Sequence, residues 1–100
     1  AELALAGDVR VATAASCFEW KQLKVGLPTG YGSAQRLTSL VGLARAQDLL
    51  FGCRTLGAGE AHALGLVSEV CDDETALARC VERWVSHFAS LAPEAVAAQK

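Results

Sequence analysis

The stretch Gly26-Leu27-Pro28-Thr29-Gly30-Tyr31-Gly32-Ser33-Ala34-Gln35-Arg36-Leu37 divides the chain into two parts of different character. Three glycines and a proline in its first seven residues force a turn there. Gly30 and Gly32 also let the backbone come close to another group. Before this loop, Asp8-Val9-Arg10-Val11-Ala12 alternates polar and apolar residues, the period of a strand. Cys17-Phe18-Glu19-Trp20 reads as a second extended segment, and residues 1–6, rich in Ala, Leu and Glu, read as helix. After the loop the chain reads as mostly helical. Ser33 is placed to cap a helix bearing Leu37, Leu40 and Val41 on one face, and Gly42 interrupts it. Leu43 to Phe51 reads as a second helix, and Gly57 to Leu64 as a short third one closed by Gly65. Leu66 to Val70 is extended. Asp72, Asp73 and Glu74 then place acid at a helix start, where the backbone dipole favours it. Leu77, Val81, Trp84, Phe88 and Leu91 follow at spacings of 4, 3, 4 and 3, a stripe suited to a core or a subunit contact. Pro93 fits the first turn of a last helix that is still running at Lys100, so both ends of the chain read as cut inside helices.

At 100 residues and 52% apolar, the chain has enough material for one packed domain. With 20% charged residues of mixed sign and a net charge of -2, it lacks the basic tract that would track a phosphate backbone, so no nucleic-acid partner is expected. No apolar run reaches membrane-spanning length, and no membrane partner is expected. Ala1 to Ala6 is short, has no basic lead and carries Glu2, so it does not read as a signal peptide. Cys17, Cys53, Cys71 and Cys80 are separated by 36, 18 and 9 residues, without a CxxC pair, and His62 and His87 complete no zinc spacing. Reduced structural thiols in a cytosolic-type compartment, and no metal, are the expectation.

Four stretches together resemble the crotonase superfamily, the enoyl-CoA hydratase/isomerase family. They are Glu2 to Ala12, Gly26 to Leu37, Val41 to Ala46 with Leu49-Leu50, and Glu60-Ala61-His62-Ala63-Leu64-Gly65-Leu66-Val67. Each is weak alone, but their order and spacing from residue 2 to about residue 70 are specific. The resemblance implies an α/β fold of the ClpP/crotonase type, β-β-α superhelical turns followed by helices, with the N-terminal half absent from this stretch. Residues 1–70 would belong to the crotonase core and residues 71–100 would begin a helical C-terminal region. Members of the family assemble as trimers or pairs of trimers through that region. The implied setting is the cytoplasm, or the mitochondrial matrix in a eukaryote.

What the resemblance implies for chemistry is an oxyanion hole, in which two backbone N–H groups stabilise a thioester enolate. Both donors would precede Ala1 in a full-length member. The substrate would be an acyl-CoA thioester, with coenzyme A arriving as part of it and no separate cofactor. Glu2 falls on the first catalytic glutamate of the hydratase pattern, which handles the proton of the attacking water. The second glutamate position falls on Gln22, which is similar in shape but cannot accept or return a proton. That departure leaves room for decarboxylation of a malonyl-type thioester. Phe18-Glu19-Trp20-Lys21-Gln22 with Gly30-Tyr31-Gly32 is similar to the ethylmalonyl-CoA decarboxylase-like branch. On this reading Gly30, Tyr31, Gly32 and Trp20 border the acyl group, and Lys21 or Lys24 meets a substrate carboxylate. Asp8 and Arg36 are candidates for a structural ion pair, with Arg10 and Gln35 as framework. The rival reading is a non-catalytic or truncated family member that serves as an assembly or binding piece. Glu2 and Gln22 are expected to face one cavity near Gly30.

Overall fold

The computed structural model describes residues 1–100. A 3-10 turn over Leu3–Ala6 leads into strand β1 (Val11–Thr13) and strand β2 (Cys17–Glu19), and a second 3-10 turn covers Gln22–Val25. Helices α1 (Ser33–Val41) and α2 (Leu43–Gly52), strand β3 (Thr55–Gly57), helix α3 (Ala58–Ala63) and strand β4 (Glu69–Cys71) follow, and α4 (Glu74–Ala89) and α5 (Pro93–Gln99) complete the chain. β1 pairs in parallel with β4, Val11 opposite Glu69 and Thr13 opposite Cys71. β2 pairs antiparallel with β3, Phe18 opposite Leu56. The core gathers around Leu5, Ala12, Trp20, Leu37, Leu49, Leu56 and Leu66. No helix is long and apolar enough to cross a membrane.

The local signals place most helices, and the departures have physical causes. Within residues 1–6, Leu3–Ala6 forms a 3-10 turn instead of an α-helix, ended by Gly7 in an extended conformation (φ -71°, ψ 153°). β1 begins at Val11, later than the alternation from Asp8 predicts. Asp8 instead pairs with Lys100 at 2.9 Å, which replaces the pair with Arg36 suggested by the sequence. Arg10 donates from Nε to the Leu66 carbonyl at 2.6 Å and from Nη1 to the Gly7 carbonyl at 2.5 Å, a framework role that ties the entry of β1 to the segment before β4. β3 was not visible to pattern reading, because three residues cannot show a period, yet Leu56 at its centre is fully buried.

Ser33 does not cap α1. Gly32 occupies the N-cap with φ 69°, and Ser33 turns its hydroxyl inward. Gly42, at φ 86°, separates α1 from α2 as the sequence indicates. At α4 the acidic start works as read, since Asp73 Oδ1 accepts from the Ala76 N–H at 2.8 Å. The stripe on α4 is only partly inside: Leu77 and Trp84 are half-buried, whereas Val81, Phe88 and Leu91 stay 38–42% exposed. The inward face of the helix is set by β1 and β4, and its fully buried residue is Cys80.

One polar cluster docks α4 on β4. Glu69 accepts from the Cys80 thiol at 3.0 Å, from Trp84 Nε1 at 2.7 Å and from Arg83 Nη2 at 2.7 Å. These donors, led by the Cys80 thiol and then the Trp84 indole, hold the Glu69 carboxyl below the ordinary carboxylate range. The same contact pushes the Cys80 thiol up to about 11, so it stays protonated and inert. A carboxylate lowered on folding stabilises above its unfolded value and loses that contribution as pH falls through the lower folded value. The melting temperature of Glu69→Gln should therefore lie below that of the unmodified protein at neutral pH. The gap should narrow as the pH is taken below about 4. A gap of constant size across that range would break the linkage.

Candidate active site

The first 3-10 turn and the glycine loop meet although 28 positions separate their contacting residues. Gly30 donates its backbone N–H to Glu2 Oε1 at 2.7 Å. A Cβ added at Gly30 would sit 3.7 Å from Glu2 Oε2, so the carboxylate lies directly against this backbone. Glu2 is half-buried and uses one oxygen on the amide. An anionic acceptor makes such a bond stronger than a neutral one would.

The loop itself is held in a left-handed turn. Tyr31 and Gly32 both have positive φ, 53° and 69°. Gly32 accepts the conformation freely, while Tyr31 adopts it at a cost of roughly 1 kcal/mol. Arg36 Nη1 donates to the Tyr31 carbonyl. The Ser33 N–H donates to the Gly30 carbonyl at 2.9 Å, and the Arg36 N–H to the Gly32 carbonyl at 3.0 Å. A Cβ on Gly32 would lie 3.1 Å from Arg36 Nη1, so the glycine leaves room for the guanidinium. Tyr31 itself projects outward, 73% exposed.

The other candidates lie elsewhere. Trp20 is 1% exposed and donates from Nε1 to Ser33 Oγ at 3.1 Å, which makes it a core residue under the loop with no surface for a ligand. Lys21 pairs with Glu19 at 2.8 Å. Glu19 also accepts from Thr55 Oγ1 at 2.8 Å, and these two donors, Lys21 first, hold its carboxyl below the ordinary range. Both oxygen contacts of Glu19 are thus with Lys21 and Thr55, and none is with Glu2 or Gly30. Gln22 opens the second 3-10 turn, half-buried, and its Oε1 is sealed from solvent without a hydrogen-bond partner. No hydrogen bond joins Gln22 to Glu2 or to Gly30. The structure thus brings together Glu2, Gly30, Tyr31, Gly32 and Arg36, and leaves Trp20 and Lys21 in structural contacts. Arg36 went unread as a loop residue because its target is a backbone carbonyl, which leaves no mark in a residue pattern. The four cysteines are free thiols, and no group of three or more His, Cys, Asp or Glu side chains is arranged to hold a metal ion.

Comparison with known proteins bears on the same residues. The family model described as enoyl-CoA hydratase/isomerase matches residues 1–100. A short-chain-enoyl-CoA hydratase of Clostridioides difficile is 42% identical over 73 residues, covering 73% of this chain and 47% of that protein. The mitochondrial methylglutaconyl-CoA hydratase of Rattus norvegicus is 41% identical over 71 residues, covering 71% of this chain and 22% of that protein. Among solved structures, a Thermobifida fusca protein named as an enoyl-CoA hydratase, in complex with acetoacetyl-CoA, superposes with a TM-score of 0.89. It shares 30% identity over 94% of this chain and 36% of its own. The chain spans less than half the length of each of these proteins.

Proposed function

Since the chain belongs to the enoyl-CoA hydratase/isomerase family, with the crotonase fold, we propose that it acts on acyl-CoA thioesters through a stabilised thioester enolate, with Glu2 as the acid/base group. The observation that carries this reading is the Gly30 N–H held on Glu2 Oε1 at 2.7 Å. It fixes one carboxylate oxygen against the glycine loop and leaves Oε2 without a hydrogen-bond partner. The likeness to two named hydratases and to a structure solved with acetoacetyl-CoA supports a CoA thioester as substrate. Coenzyme A then comes with the substrate. Residues 71–100 begin the region through which the full-length protein assembles as a trimer or a pair of trimers.

In hydration, Glu2 takes a proton from water as the water oxygen bonds to the β-carbon, and the electron pair of the double bond moves into the enolate. The α-carbon must then receive a proton from a second acid. Gln22 has none to give. This favours a second reading, decarboxylation of a malonyl-type thioester. There the bond to the carboxylate breaks, its electron pair enters the enolate, CO2 leaves, and one proton must reach the α-carbon. One proton donor suffices, and Glu2 would relay that proton from solvent to the α-carbon.

The two readings separate on substrate. The complete protein should be offered crotonyl-CoA and methylmalonyl-CoA, with and without Gln22→Glu. If hydration is the activity, crotonyl-CoA turns over slowly, and restoring the second carboxylate raises kcat. If decarboxylation is the activity, methylmalonyl-CoA releases CO2 and the substitution does not help. Rapid crotonyl-CoA hydration that is indifferent to Gln22→Glu sinks the decarboxylase reading, and turnover of neither substrate sinks both.

A further inference from the structure

We propose that Arg36 is a positioning residue for Glu2, acting through the backbone of the glycine loop. The inference rests on the reading of Glu2 as the acid/base group, and it explains how the glycine loop presents a fixed amide to that group.

The argument starts from the cost of the loop. The chain turns sharply just after Gly30, whose N–H meets Glu2 at 2.7 Å. The turn uses two consecutive left-handed residues, one of which, Tyr31, is not a glycine. An unrestrained chain would let Tyr31 relax to negative φ, and the changed chain direction would shift Gly30, whose N–H lies in the preceding Thr29–Gly30 peptide, against Glu2. Arg36 opposes the relaxation. Its guanidinium bonds the Tyr31 carbonyl from one turn along α1, and its own backbone N–H bonds the Gly32 carbonyl at 3.0 Å. The Ser33 N–H holds the Gly30 carbonyl at 2.9 Å. Carbonyls 30, 31 and 32 are therefore all tied to α1, leaving the Gly30 N–H to face Glu2 at 2.7 Å. Position 32 fits the same design, because any side chain there would intrude at 3.1 Å on the Arg36 guanidinium. Arg36 touches neither Glu2 nor any group it would act on, so its role is positioning and not catalysis.

The test reads position and chemistry separately. The complete protein labelled with 15N-glycine reports the Gly30 amide directly. In the unmodified protein that proton should resonate downfield, and Glu2→Gln should move it upfield by weakening the acceptor. Arg36→Met should move it upfield likewise and lower kcat on the CoA thioester turned over by about 10- to 100-fold, with KM little changed. Arg36→Lys, which retains one cationic donor, should recover part of both effects. Tyr31→Gly combined with Arg36→Met should also recover part, since glycine holds the turn without the clamp. A folded Arg36→Met protein with an unmoved Gly30 resonance overturns the proposal. So does a kcat loss that neither Arg36→Lys nor the Tyr31→Gly combination eases, and these two variants decide the matter if Arg36→Met alone does not fold. If Glu2→Gln leaves kcat intact, the acid/base reading of Glu2 fails, while the Gly30 resonance still judges Arg36.

Discussion

Glu2→Gln should lower kcat by about 10²- to 10⁴-fold while leaving the melting temperature almost unchanged. The reason lies in the one bond Glu2 makes. Gly30 needs an acceptor at the position of Glu2 Oε1, 2.7 Å from its N–H. The amide oxygen of glutamine can stand in the same place, so the loop keeps its partner. What disappears is the ability to take and return a proton. Uncoupling of activity from stability is therefore the signature to look for, read by steady-state kinetics and thermal melts on one preparation. A kcat within about threefold of the unmodified protein would remove Glu2 from the chemistry, because general acid/base groups contribute far more. A joint collapse of kcat and melting temperature would make the contact structural.

The second large effect belongs to Trp20. Trp20→Ala should destabilise the protein by about 3–5 kcal/mol, measured by denaturant unfolding. The side chain is 1% exposed and lies among the fully buried Leu37, Leu49 and Leu56, so its removal leaves a void that neighbours on three different elements cannot close. Its indole N–H is also the partner of the buried Ser33 hydroxyl at 3.1 Å. Trp20→Phe should cost less, since it keeps most of the volume and forfeits only that bond, worth about 1 kcal/mol. Because Ser33 begins α1 and the glycine loop ends at Gly32, the loss should spread to the loop. A protein unaffected by Trp20→Ala would mean that the residue is not part of the core, and would return it to the candidates for lining an acyl pocket.

These two residues show where pattern reading worked and where it stopped. Glu2 was legible as a candidate because the surrounding stretch resembles a family in which that position carries a carboxylate. Its contact with Gly30 was not legible, since hydrogen bonding across 28 positions leaves no local period. Lys21 was read as a ligand contact through the likeness of its stretch to a decarboxylase-like branch, and Trp20 as an aromatic bordering the acyl group. A residue type does not reveal its direction: in the structure Trp20 packs inside against Ser33 and Lys21 pairs with Glu19. The α4 stripe was read correctly as helical, yet which of its residues face inward depends on where β1 and β4 lie beneath it.

The sequence by itself determined what local physics controls: the helices from apolar periodicity, the break at Gly42, the acidic start of α4 at Asp73, and the loop at Gly26 to Gly32. Each of these depends on interactions spanning a few residues, so neighbouring side chains suffice to specify it. It also carried the family, through four motifs in a fixed order. Only the tertiary structure decided that β1 joins β4 and β2 joins β3, that Asp8 meets Lys100 and not Arg36, and that Arg36 fastens the loop presenting Gly30 to Glu2. Such pairings join distant positions, or a side chain to a backbone carbonyl that every residue possesses. Their choice is made when the whole core closes.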